Sequence, residues 1–466
     1  MKSFSTALLL TVALAAQSHA EDLLVKVANP VSTKHAAIYF ASQGFKSEAL
    51  TDNWIQVKGN VNQIGMQKFL ESGSVVYVQK NYKIHLQQNP HLQTELKSYL
   101  AAHPEAGSQP LAPQVDNPEI PPAPTATTGA DPLFSSQWGM NDIGTTAGWN
   151  INRGTNKVIV AVIDTGVDYT HEDLMGNLWR NPKEIPNNGI DDDNNGYIDD
   201  IIGWDFLSND NKPYDLAAAS LMDLLNGGNP GHGTHCAGNV AAVGGNGKGI
   251  SGVAPNAQIM ALRFIGNEGG TTAAAIKAIK YAVDNGAKVL SNSWGSEGED
   301  PAEATENQAL QDAVQYAKDH DVLFIAAAGN SSKNNDTDDK KSFPASYTHD
   351  NIISVAAIDS ADNIASFSNV GATSVDIAAP GVKIFSTTVG GKYSDTVIAL
   401  LNATWDGTSM ACPHVAGAAA LYWSAHPEKT YAQVRDAILG SAKSVPSAQG
   451  KVLTGGKLSV EQLMKF

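Results

Sequence analysis

From residue 131 onward, short continuous apolar runs alternate with stretches in which apolar residues recur every three or four positions. Residues 158–163, 253–265, 289–293, 322–328 and 352–357 are the runs, rich in β-branched side chains, as expected of parallel strands buried on both faces. Residues 272–285 and 307–320 carry the helical period between them. The alternation predicts an α/β fold: a doubly wound parallel sheet with helices on both faces and its chemistry at the carboxyl ends of the strands. The preceding chain reads differently. Residues 23–28, 54–57 and 75–86 alternate like half-buried strands, 33–43 and 61–70 are helical, and a further strand is possible near Ala49. That order suits a small ferredoxin-like α/β domain. Residues 88–130 open with a helical stretch over 91–102 and become Pro-rich from Pro110 to Pro124, which predicts an extended, poorly packed linker.

At the start, Lys2, an apolar run over 7–16 and Ser18-His19-Ala20 have the layout of a secretory signal occupying residues 1–20. The run is too short to span a bilayer, and no later segment reaches 18 uninterrupted apolar residues. A secreted chain, in the medium or the periplasm, with no membrane anchor is expected. Acidic residues outnumber basic ones, 47 against 31, for a net charge of −16. That balance speaks against nucleic acid as a partner, because phosphate binding needs Lys and Arg in excess. Two cysteines cannot build a disulfide framework.

Three positions carry candidate chemistry. Asp164 directly follows the first buried strand; His232 lies in Gly231-His-Gly-Thr-His-Cys-Ala-Gly238; Ser409 opens an Ala-rich helix in Gly407-Thr-Ser-Met-Ala-Cys-Pro-His414. A hydroxyl nucleophile, an imidazole base and a carboxylate that fixes its tautomer are what acyl transfer by serine requires. Ser409 lacks the Gly-x-Ser-x-Gly elbow of α/β-hydrolases.

The strings around these residues closely resemble the motifs of subtilisin-like serine peptidases, over residues 131–464 and in the same chain order. The resemblance implies Ser409 as nucleophile, His232 as base, Asp164 as orienting carboxylate and Asn330 as oxyanion donor. It implies a secreted endopeptidase made as a zymogen, with 21–87 as inhibitory pro-domain and folding aid, 88–130 as linker holding the maturation site, and 131–466 as peptidase domain. Polypeptide substrates would add as a strand along Ser293, Trp294 and Gly295 on one side and Gly269 and Gly270 on the other. The Trp294 indole either shapes a subsite or belongs to the core. The alternative from another class is a catalytically silent calcium-binding protein on the same fold.

Calcium is the expected cofactor. Asp191, Asp193, Asn195, Tyr197 and Asp199 stand at positions 1, 3, 5, 7 and 9 of an EF-hand-like loop with Gly196 at position 6. Position 12 is Ile202, so the bidentate ligand must come from elsewhere, Asp200 being a candidate. A second site follows only from resemblance to thermitase-type members: side chains of Asp131, Asp173 and Asn246 with carbonyls of Val243, Lys248 and Ile250. A zinc cluster of His232, His235, Cys236, Cys412 and His414 is disfavoured, because both extra histidines belong to the family motifs as structural residues.

Overall fold

The computed structural model describes residues 22–28, 30–42, 44–59, 75–87, 90–108, 111, 117–296 and 307–466. They form two compact units, 22–81 and 82–466. In the first, β1 (Leu23–Val27), β2 (Lys46–Ala49), β3 (Trp54–Lys58) and β4 (Val75–Lys80) make an antiparallel sheet in the order β2-β3-β1-β4. Helix Pro30–Ser42 joins β1 to β2. Val25, Val27, Ile55 and Val57 close on Ala36 and Phe40 of that helix, so the period-two pattern becomes one buried face. The strand order is that of a ferredoxin-like sheet. The helix expected over 61–70 and the signal over 1–20 lie outside the described residues.

The stretch 75–86, read from the sequence as one strand, is two. The break falls at Asn81-Tyr82, and β5 (Lys83–Leu86) belongs to the larger unit.

That unit is built on a nine-stranded sheet. Its main strands are β6 (Ile159–Asp164), β7 (Gly203–Asp205), β8 (Gln258–Arg263), β10 (Val289–Asn292), β12 (Leu323–Ala327), β13 (Ile352–Ile358) and β14 (Ile377–Pro380). They run parallel in the order β14-β13-β12-β10-β6-β8-β7. From β6 the chain first builds outward on the β8 side, then crosses to β10. The carboxyl end of β6 therefore lies at the point where strand order reverses, the place where open α/β sheets leave a crevice. Two further pairs are short: β9 (Gly270–Thr271) and β11 (Trp294–Gly295), both flanking β5.

Two helices meet over this crevice. His232–Ala241 follows a positive-φ glycine, Gly231, and Thr408–Ala425 is buried over nearly its whole length. They approach closely because Gly417 has no side chain: a Cβ there would stand 2.9 Å from the Val240 carbonyl oxygen and 2.7 Å from Val253 Cβ. No helix among the described residues is long and apolar enough to cross a membrane.

The linker expectation for 88–130 needs correction. Helix Pro90–Ala102 repeats leucine at 92, 96 and 100, an i, i+4, i+8 stripe, and buries it with Leu221, Leu224, Ile398 and Ala403. Residues 117–130 are also tied down. Pro118 and Pro121 carbonyls accept hydrogen bonds from Tyr169 Oη (2.5 Å) and Arg180 Nη2 (2.7 Å), and Gly129 N–H donates to Gly245 O at 2.9 Å. Proline forfeits a donor but keeps its acceptor, so such a segment can be fixed by side chains of the domain it crosses.

Gly417→Ala should force the two helices apart and cost about 1–3 kcal/mol by overpacking, read as a lowered denaturant midpoint with unchanged slope.

Candidate active site

Asp164 ends β6 with no solvent exposure, and its Oδ1 lies 2.8 Å from His232 Nδ1. The same oxygen accepts from Thr165 N–H at 2.7 Å. His232 starts its helix, and Asn229 Oδ1 accepts from both Gly231 N–H (2.8 Å) and His232 N–H (2.9 Å). Gly233 has to be glycine: a Cβ would stand 2.1 Å from Gly166 O. Its N–H donates to Thr165 Oγ1 at 2.8 Å.

Behind these groups stands Asp215, fully buried, which the sequence reading did not single out. Its carboxylate accepts from Thr165 Oγ1 (2.8 Å), Asn229 Nδ2 (2.6 Å), Thr234 N–H (2.8 Å) and Thr234 Oγ1 (2.6 Å). One side chain thus clamps the end of β6 to the start of the His232 helix. Burial nevertheless pushes its pKa up to about 6. The signal available in the sequence was an acidic residue flanked by Tyr214 and Leu216.

Ser409 lies in the first turn of its helix, and its Oγ donates to the Ser293 carbonyl at 3.0 Å. His232 Nε2 is buried without a hydrogen-bond partner. The base is thus oriented on one side and free on the other, while the hydroxyl is parked on a neighbouring carbonyl. Cys236 Sγ lies 3.8 Å from His232 Nδ1, and Cys236 and Cys412 are both free thiols. His235 Nε2 and His414 Nδ1 are engaged by the Ile384 (2.9 Å) and Met410 (2.8 Å) carbonyls. Burial lowers their pKa values to about 3 and about 4, which suits neutral rings in structural roles.

The two predicted substrate edges are occupied by this chain itself. β5 lies between β9 and β11, antiparallel to both, with Ile84 opposite Gly270, His85 opposite Gly295 and Leu86 opposite Trp294. Gly269, at φ +82°, leaves room for the Ile84 carbonyl. The Trp294 indole is fully buried against Phe264 and Phe324, with ring centroids 5.0 and 6.4 Å away. Of its two readings the structure gives the core one. Ser293 Oγ donates to Ser409 O at 2.9 Å. Directly after β5, the Gln87 carbonyl accepts from Asn330 Nδ2 at 2.9 Å, and Asn330 is held by Thr408, whose N–H and Oγ1 each lie 2.9 Å from its Oδ1.

The sequence model of the subtilase family matches residues 155–455. The chain belongs to the subtilase family. It is 37% identical over 341 residues to thermitase from Thermoactinomyces vulgaris, covering 73% of this chain and all of that protein. It is also 37% identical over 324 residues to a thermophilic serine proteinase of Bacillus sp. strain AK1, covering 69% of this chain. It spans 65% of that protein's length. The crystal structure of fervidolysin from Fervidobacterium pennivorans shares the fold with a TM-score of 0.66 at 24% identity, over 97% of this chain and 62% of that one. By membership this subtilase is a serine peptidase.

In the acidic loop, backbone N–H groups turn toward the carboxylates expected as ligands. Asp191 turns both oxygens to the N–H groups of Asn195 and Gly196, and Asp199 caps those of Asn188 and Gly189. Asn195 is spent on Tyr197 N–H and Asp200. Carboxylate oxygens of Glu184, Asp193 and Asp200 instead converge, all within 4.8 Å of one another. Two oxygens across a calcium ion at about 2.4 Å would be ~4.8 Å apart, so the spacing fits one. Glu184 Oε2 is buried with no partner, an orphan acceptor that a cation would satisfy. Burial raises the carboxyl pKa values of Glu184 and Asp200. Glu184 was missed because it precedes the patterned loop. At the second place, Asp131 accepts from Gly245 and Asn246 N–H, and Asp173 from Asn246 Nδ2 and Ile250 N–H. Val243 N–H donates to Asp173 O and Lys248 N–H to Asn246 Oδ1, so all six positions lie together around one loop.

Burial alone would lower the His232 pKa, but the Asp164 carboxylate in contact and the adjacent Cys236 hold it well above the ordinary 6.5. A raised value keeps the ring protonated above pH 6.5 and makes the neutral form available only at higher pH. The His232 Cε1–H resonance, followed by NMR in Ser409→Ala, should titrate above that value. Adding Asp164→Asn should move the midpoint down, because burial is then opposed only by the Cys236 contact.

Proposed function

We propose that this subtilase is a secreted, calcium-stabilised serine endopeptidase made as a zymogen, and that its first substrate is the bond after its own Gln87. The observation carrying this reading is the Gln87 carbonyl on Asn330, delivered by a strand that fills the cleft between β9 and β11. An extended peptide held from both edges can move little along the cleft, which fixes the reacting carbonyl.

The reaction follows from what each group can do. Ser409 Oγ leaves the Ser293 carbonyl, gives its proton to the free His232 Nε2 and bonds to the carbonyl carbon. Asn330 Nδ2 stabilises the negative charge on the oxygen. Asp164 holds the ring so that Nε2, not Nδ1, accepts the proton, and stabilises the imidazolium. The C–N bond breaks as the imidazolium returns the proton to the leaving amine. Water, activated by the same imidazole, then hydrolyses the acyl-enzyme. Polypeptides in general would enter as β5 does.

Residues after the cut do not fall away at once, because the 90–102 helix is packed on the larger unit and Leu92 and Gln93 line the cavity shared with His232 and Ser409. Maturation then takes two steps. The second start belongs before Pro118, upstream of the contacts at Pro118, Pro121 and Gly129. Calcium would be held by Glu184, Asp193 and Asp200 in one place. In the other, Asp131, Asp173 and Asn246 would hold it with the carbonyls of Val243, Lys248 and Ile250. It would neutralise buried carboxylates that otherwise repel each other.

Intact-mass and N-terminal analysis of wild type should show a species starting at Gln88 and then a shorter one, while Ser409→Ala keeps the pro-segment. A wild-type chain that keeps it too, and ignores a serine-directed phosphonate, is the silent protein instead. Chelation should lower the thermal midpoint of the mature enzyme by about 5 °C. Glu184→Gln should lower it in calcium and shrink the chelator response; an unmoved midpoint on chelation sinks the calcium sites.

A further inference from the structure

The Gln87 side chain enters a buried pocket whose polar lining matches a primary amide. Its Nε2 donates to Ser342 Oγ at 2.9 Å and to the Ala327 carbonyl at 3.3 Å, while its Oε1 lies 3.2 Å from Thr408 Oγ1. Gln87 and Ser342 are both buried. The opening exists because position 295 is glycine: a Cβ there would be 2.6 Å from Gln87 Nε2. Ser342 is itself fixed, its N–H donating to Asn335 Oδ1 at 3.4 Å, and Asn335 Nδ2 donates in turn to Ala328 O at 2.9 Å. The hydroxyl is presented by a supported backbone at the floor of the site.

We infer that this pocket selects glutamine at the residue preceding the cut bond, with Ser342 and the Ala327 carbonyl as the groups that read it. The inference rests on the peptidase reading above and narrows its substrate class to polypeptides cut after an uncharged amide side chain. Glutamate has the same shape but brings an oxygen where Ala327 O needs a donor, and it buries a charge. The polar contacts named for Gln87 include no cation to balance that charge. Leucine forfeits both bonds and leaves Ser342 Oγ buried without the donor it has from Gln87. Loss of one such neutral pairing corresponds to a factor of roughly 5 to 150, and a buried unpaired charge to more.

The test uses enzyme matured from the full chain and peptides spanning Lys-Ile-His-Leu-X and residues beyond the cut, with X as Gln, Glu or Leu. Expected is a kcat/KM for Gln at least about 5-fold above Leu and about 100-fold above Glu. Ser342→Ala should narrow the Gln-to-Leu ratio. In the full chain, Gln87→Glu should slow appearance of the Gln88 species by mass, a readout that does not depend on Ser342→Ala folding. Leucine cleaved as fast as glutamine, or Gln87→Glu processed at the wild-type rate, overturns the inference. A preparation that cleaves none of the peptides and does not react with the phosphonate overturns the peptidase reading instead.

Discussion

The site depends on keeping one carboxylate, Asp164, at the buried end of a strand. Isolated burial of such a charge is costly, and the structure compensates with the His232 ring and the Thr165 N–H. Much of the neighbouring architecture follows from that need. The strand must end where the sheet order reverses, so that a helix from the next crossover can bring His232 over it. The glycines at 231, 233 and 417 allow the close approaches this requires. Asp215 then locks strand end to helix start with four accepted hydrogen bonds, so that the imidazole is oriented before any substrate arrives.

The sheet and the reactive trio were legible because they obey strong local rules. Buried parallel strands read as continuous apolar runs, and residues 158–163, 289–293 and 352–357 lie within one or two positions of the observed strands. Asp164, His232 and Ser409 stand in glycine-flanked strings long enough to recognise. β7 and β14 went unread: Gly203–Asp205 is too short for a period, and Ile377–Pro380 ends in proline. Residues 88–130 misled for a physical reason. Proline composition argues for an extended chain, but it says nothing about whether neighbouring side chains reach the carbonyls, as they do at Pro118 and Pro121.

The acidity of the loop was legible in the sequence, and the way its oxygens converge was not. The density of carboxylates between 191 and 200 signals a cation, since so many like charges repel. Which oxygens converge depends on where the loop closes. A linear ligand template cannot anticipate that closure. Here Asp193 and Asp200 are joined by Glu184 from an earlier turn. Long-range convergence of this sort is settled by packing, in this case with Tyr281 Oη and Asn181 Nδ2 donating to Asp200.

The segment between Asp215 and Asn229 links the clamp behind His232 to the contact made by the 90–102 helix. Asp215 accepts from Asn229 Nδ2, so the chain leaves and returns to one hydrogen-bonded point. Here it carries helix Leu221–Leu225, whose Leu221 and Leu224 pack on the 90–102 helix. The excursion that begins and ends at the clamp on the His232 helix therefore supplies the seat for the 90–102 helix. Cutting that bond would release the strand on one side of Ser409 but leave the other side covered by an apolar contact that no hydrolysis has touched. The order of maturation would then be set by packing rather than by sequence preference: the bond held at Asn330 first, the seated helix afterwards.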